Sequence, residues 1–165
     1  TPDELAERET QILGKEQIEW LIDNLKYSRA PFKMVAVGGQ VLNTAKRFEN
    51  HAVYAEERKY LMRRIIEEKI EGVMFLTGDR HSTELSMYKA DNGIEMYDLT
   101  VSPLTSKSYS PLDETNNLRV EGTAIGEQNF GILEFFGPRK ERQMKISIFD
   151  SDGNELWTKT LKSFS

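Results

Sequence analysis

Two short apolar runs, Phe32-Lys33-Met34-Val35-Ala36-Val37 and Val73-Met74-Phe75-Leu76, bracket one charged segment, and this spacing constrains the fold more than any other feature. Each run has the length and β-branched or aromatic content of a buried strand; the first ends at Gly38-Gly39 and the second opens into Thr77-Gly78-Asp79-Arg80-His81. Between them, Ala55 to Lys69 is dense in Glu, Arg and Lys and carries Leu61, Met62, Ile65 and Ile66 at helical spacing, with Ile70 continuing the stripe and Gly72 stopping it. Strand, helix, strand is the unit that forms parallel pairs with a right-handed crossover, so the first half predicts an α/β layer.

Upstream, Ile18, Leu21, Ile22 and Leu25 recur with the period of an amphipathic helix that Ser28 to Pro31 ends. Asn43 to Ala52 is polar and less regular. Beyond His81, runs at 85–88 and 94–99 flank Asp91-Asn92-Gly93, a hairpin signal, and 100–117 reads as a long loop. Phe130 to Phe136, the alternating Met144, Ile146 and Ile148, and Leu156 to Leu161 add three strands, the last two joined by a turn at Asp150 to Asn154. The second half therefore predicts mostly antiparallel β. With 165 residues the chain is read as a single unit over 1–165, since neither half is large enough to bury a core alone.

The totals remove several function classes. A net charge of −5 gives no global basic field to recruit nucleic acid, and no run approaches the roughly 18 apolar residues of a membrane span. The absence of cysteine removes thiolate chemistry and Cys-ligated zinc.

Ligands gather at the carboxyl ends of strands in α/β sheets, where a rigid strand holds an exposed loop. Gly78-Asp79-Arg80-His81 sits at such an end, with Glu84 three residues on. Asp79 and His81 are metal-ligand types, Glu84 could orient the imidazole, and Arg80 suits phosphate oxygens. The alternative is a surface loop with ordinary charges, and a metal centre would need further ligands from elsewhere. His51 reads either as a solvent-facing loop histidine or as a second polar group at the rim of the same cleft. Gly38-Gly39-Gln40 is either a tight turn or a close approach of backbone and Gln40 amide to a bound oxyanion or metal. Asp150 to Asn154 fails as a calcium loop, because the glycine and glutamate positions of an EF-hand fall on Glu155 and Leu161. Ser102 to Ser110 lacks a G-x-S-x-G elbow and stays a loop.

The blocks LGKEQIEWLIDNLKYSRAPFKMVAVGGQVLN and YAEERKYLMRRIIEEKIEGVMFLTGDRH, with the later NFGILEF and DSDGNELW, resemble PhoD-like alkaline phosphatases and phosphodiesterases in order and spacing. The resemblance implies a calcineurin-like metallophosphoesterase fold, a four-layer αββα sandwich of which this chain is the C-terminal half. It implies His81 as a metal ligand and catalytic residue with Arg80, Asp79 as a ligand or its support, and Gln40 near a position that holds a metal-ligating His in the superfamily. The implied cofactors are metal ions, drawn from Ca, Fe, Mn and Zn, and the implied substrate is a phosphate ester. The earlier motifs G-D-x-x-D and G-N-H/D do not occur here. The expected partner is therefore an N-terminal remainder of a parent chain, with negligible hydrolysis by this part alone. A non-catalytic binding module with the same fold remnant is the alternative. An exposed sheet face would favour homo-oligomers, and the resemblance implies a periplasmic or extracellular location.

Overall fold

The computed structural model describes residues 11–47 and 50–163. Helix α1 (Lys15–Tyr27) buries Ile18, Ile22 and Leu25 on one face, as the 3.6-residue period requires. Strand β1 (Lys33–Ala36) follows, then helix α2 (Ala55–Glu67), which buries Leu61 and Ile65. Strand β2 (Val73–Thr77) precedes the hairpin β3 (Glu84–Lys89) and β4 (Glu95–Thr100). Strands β5 (Asn129–Phe136), β6 (Gln143–Asp150) and β7 (Glu155–Lys162) close the chain.

The strands form two sheets. The first has the order β1-β2-β4-β3, with β1, β2 and β4 parallel and β3 antiparallel to β4; the second is antiparallel, β5-β6-β7. The α/β first half and antiparallel second half are as expected. Of the expected loop 100–117, Thr100 ends β4 and 101–117 is irregular apart from a 3-10 turn at Pro111–Asp113, where the Ser110 hydroxyl accepts the Leu112 N–H.

Because successive strand side chains point to opposite faces, the first sheet serves two cores. Val35, Val73, Phe75 and Met96 pack against α1 and α2 with Ile18, Ile22, Leu61 and Ile65. Met74 and Leu99 face the other way, onto Met144, Ile146 and Ile148 of the second sheet. The layers are helices, sheet, sheet. The helices are tied together by Arg64, whose guanidinium donates twice to Glu19 at 2.9 Å while the Tyr60 hydroxyl donates to the same carboxylate at 2.6 Å. Arg64 first and Tyr60 second hold the Glu19 carboxyl down at about 2. Solvent screening keeps this network's contribution small, so it sets helix register more than stability.

Glu57 does something different. It sits in the first turn of α2, is buried, and accepts the successive backbone N–H groups of Ile12 (2.8 Å), Leu13 (3.0 Å) and Gly14 (2.6 Å). This clasp fixes the entry into α1 and places a negative charge where the dipole of α2 favours it.

One side of the sandwich is open. β1 and β5 are edge strands of their sheets, and the rings of Phe32 and Phe135 lie 5.9 Å apart, so the two edges border the same side. On β5, Phe135 toward the first sheet and Ile132 and Phe136 on the opposite face remain 43–46% exposed.

Gly72 lies directly against the Pro31 turn that leads into β1. It has φ 74°, its carbonyl accepts the Lys33 N–H at 2.7 Å, and a Cβ at this position would lie 2.2 Å from the Pro31 carbonyl oxygen. Gly72→Ala combines left-handed strain with a backbone clash, and is expected to destabilise the fold by about 2 kcal/mol or more, read as a lower urea midpoint.

Candidate active site

Three loops meet at the carboxyl ends of β1, β2 and β4. The Gly78 N–H donates to the Gly38 carbonyl (3.3 Å) and the Val101 N–H to that of Thr77 (3.1 Å), so the loops continue the sheet's order by one step. Beside the free edge of β1 lies a hollow of about 720 Å³, walled by Ile12, Leu21, Val35 and Val37 and reaching Gly39 and Asp79.

Asp79 (φ 63°) and His81 (φ 54°) are two of the three non-glycine residues with positive φ among the described residues. Side chains rarely hold that conformation without surrounding support, and such outliers gather at functional sites. The support is visible for His81. Its N–H donates to the Ser102 hydroxyl (3.1 Å), its carbonyl accepts the Tyr109 N–H (2.8 Å), and its Nδ1 lies 2.5 Å from the Lys107 carbonyl. A carbonyl only accepts, so Nδ1 carries the hydrogen and the lone pair of the neutral ring falls on Nε2. A backbone carbonyl on one ring nitrogen is the usual way a metal-binding imidazole is oriented through the other. The expectation that Glu84 would orient this imidazole is not met: the Lys107 carbonyl does so.

Arg80 turns inward. Its guanidinium pairs with Glu114 and donates to the Arg47 carbonyl at 3.0 Å, with its side chain 7% exposed. Gln40 is buried too: its Nε2 donates to Glu84 and to Thr100, both at 2.8 Å, and its Oε1 accepts from Asn43 at 2.8 Å. Asp79 and His81 therefore share one accessible loop, while Arg80 and Gln40 brace the structure behind it.

That bracing is a polar layer that sequence reasoning missed. Glu84, Asp98 and Thr100 alternate onto the helix-facing side at the strand ends, where loops 38–43 and 114–119 cover them. Glu84 Oε1 accepts from Gln40, Asn43 (3.0 Å) and Asn116 (3.2 Å), and its Oε2 from Arg119 Nε. Asp98 accepts the N–H groups of Val41 (2.6 Å) and Leu42 (2.8 Å) and the Thr77 hydroxyl (2.8 Å). Burial pushes its carboxyl up to about 6, against the pull of those donors. The one signal available was an acid inside an apolar strand, Tyr97-Asp98-Leu99.

His51 is neither solvent-facing nor at a rim. It is fully buried, its N–H donating to the Gln40 carbonyl (2.9 Å), and neither ring nitrogen has a hydrogen-bond partner. No group of three or more His, Asp or Glu able to hold a metal ion occurs among the described residues.

Fold and site together define an α/β sandwich protein whose strand-end loop presents an oriented imidazole and a carboxylate. The sequence profile of the PhoD-like phosphatases matches residues 1–142, and the chain belongs to that family. Its fold is similar to a solved structure of PhoD, with 17% identity and a TM-score of 0.64 over 96% of this chain. The chain spans 37% of the length of that protein. A crystal structure of a Vps29 single mutant from Entamoeba histolytica aligns at 17% identity over 84% of this chain and 58% of its own, with a TM-score of 0.38. Among curated protein sequences none matches at a significant level.

Burial holds the His51 imidazole below its ordinary value, so beneath roughly pH 6.5 the unfolded chain binds a proton that the native state resists. Stability then falls as pH drops through that value. His51→Phe, which removes the titrating group, is expected to lose less stability than the unsubstituted chain as pH is lowered through 6.5, measured by urea unfolding at a series of pH values.

Proposed function

We propose that this chain supplies the His81 and Asp79 end of a metal-dependent phosphoesterase site whose remaining ligands belong to the preceding part of a longer parent chain. The observation that carries the reading is the His81 ring, fixed through Nδ1 with Nε2 left for a ligand, on the same loop as the Asp79 carboxylate. These two donor types fit a cation such as Ca, Fe, Mn or Zn, and they are too few to hold it alone. When bound, the cation supplies Lewis-acid stabilisation of a phosphate ester, whether monoester or diester, and activation of the attacking water. The chain's own contribution is positional: Lys107 fixes the ring, Ser102 and Tyr109 hold the loop backbone, and Arg80 anchors its underside through Glu114.

The parent chain also has a place to dock. The side between β1 and β5 leaves two sheet edges without a further strand among the described residues, with the Phe32 and Phe135 rings between them, which strands from a preceding segment would extend and cover. With that segment attached, the 165 residues act as one unit and the full four-layer sandwich closes. A periplasmic or extracellular location is carried over from the family resemblance alone.

Hydrolysis of p-nitrophenyl phosphate and bis-p-nitrophenyl phosphate, with each metal added singly, tests this. The parent chain is expected to turn over at least one of them, His81→Ala to lower that rate at least on the order of 100-fold, and the 165-residue chain to be inactive. A parent that retains its fold but turns over neither ester with any of the metals would favour a non-catalytic binding module. A 165-residue chain that self-associates through the open side, while the parent is monomeric, would support the docking assignment.

A further inference from the structure

Beside His81, the loop 102–110 places two exposed side chains that the reading above does not use. The Tyr109 ring lies 5.7 Å from the His81 ring, and the Lys107 ammonium sits over the Tyr109 ring at 5.4 Å. Tyr109 remains 54% exposed although it makes both contacts, so most of a flat apolar surface faces solvent next to the imidazole.

The loop that carries it is held on several sides. Lys107 and Tyr109 are joined to His81 through backbone carbonyl and backbone N–H respectively. The Gln128 amide donates to the Thr105 (3.0 Å) and Ser106 (3.1 Å) carbonyls, and the Pro103 carbonyl accepts the Asn129 N–H (2.9 Å). Gly126 lets the chain approach closely: a Cβ there would lie 3.0 Å from the Ser110 Cα. An exposed aromatic on a braced loop loses little freedom when something stacks on it, which makes it a better contact than an equally exposed residue on a loose loop.

We infer that Tyr109, its ring steadied by Lys107, is a specificity-determining residue that receives the organic group of the phosphate ester and selects esters of flat, aromatic groups over small alkyl ones. The inference rests on the phosphoesterase reading of His81. A phosphate bound by way of His81 would carry its ester substituent beside a ring that lies 5.7 Å from the imidazole, and an aromatic substituent stacked on that ring would gain attraction beyond simple burial. The attached lysine favours substituents that carry negative charge.

The test uses the complete metal-loaded parent chain and its Tyr109→Ala and Tyr109→Phe variants. The readouts are kcat and KM on p-nitrophenyl phosphate and on glycerol phosphate, and inhibition by phenylphosphonate against methylphosphonate. The parent is expected to prefer phenylphosphonate by about tenfold. Tyr109→Ala keeps the backbone N–H bonded to His81; it is expected to erase that preference and to raise KM for the aryl ester several-fold more than KM for glycerol phosphate. Tyr109→Phe, which keeps the ring, retains the preference. Equal losses on aryl and alkyl esters would overturn the assignment, as would an aryl preference untouched by Tyr109→Ala. A parent that neither hydrolyses a phosphate ester nor binds either phosphonate would overturn the phosphoesterase reading, and the role of Tyr109 with it.

Discussion

The buried carboxylate of Glu84 is the constraint on which the site's architecture depends. Its donors come from two loops that are far apart in sequence: Gln40 and Asn43 follow β1, and Asn116 and Arg119 precede β5. A carboxylate at 2% exposure is costly to bury unless its lone pairs are filled, and each donor would be orphaned in turn without it. The loops are therefore ordered by mutual need. That order reaches the strand-end loop, because the segment containing Asn116 and Arg119 also contributes Glu114 to Arg80, and the preceding stretch contributes Lys107 and Tyr109 to His81.

Asp98 lies across the β3–β4 ladder from Ser86, the next pair on the same face after Glu84 and Thr100. Two acids this close cannot both be accommodated by burial alone. The charge of Glu84 adds to desolvation in raising the Asp98 carboxyl, and the Val41 and Leu42 amides and the Thr77 hydroxyl work against both. The result is a polar layer balanced between repulsion and hydrogen bonding, under loops that an apolar layer would leave without partners for their backbone N–H groups.

The elements of this fold were legible where period and punctuation agree. Ile18, Ile22 and Leu25 declare α1, and Asn92-Gly93 declares the β3–β4 turn, because helical spacing and turn chemistry are local properties. The Gly78 to His81 strand end was legible for the same reason. Gln40, Arg80 and His51 were not, since a polar residue in a loop reads the same whether it faces solvent or the interior. For Gln40 and Arg80 the inward turn is decided by Glu84, Thr100 and Glu114, which are remote in sequence and become neighbours only once the chain has folded around the β3–β4 pair. Long-range polar satisfaction leaves no periodic trace.

The same distinction explains why the long, specific blocks of family resemblance carry so little of the chemistry. Tyr54-Ala55-Glu56-Glu57-Arg58 is part of that resemblance, yet two of its three charged residues, Glu57 and Arg58, are clasps. Glu57 holds the amides of Ile12 to Gly14, and Arg58 donates to the Leu42 carbonyl at 2.9 Å. Both fasten α2 to loops that border the strand ends, one at the entry to α1 and one just beyond Gln40. On the reading proposed above, a phosphoesterase site divided between two parts of a chain would require such fastening, because each ligand set would have to hold its geometry to within about 0.5 Å before the other arrives. On that view the pattern Y-x-x-E-R and the Gly-Asp-Arg-His turn are one device: the helix motif fixes the frame, and the turn presents His81 from it.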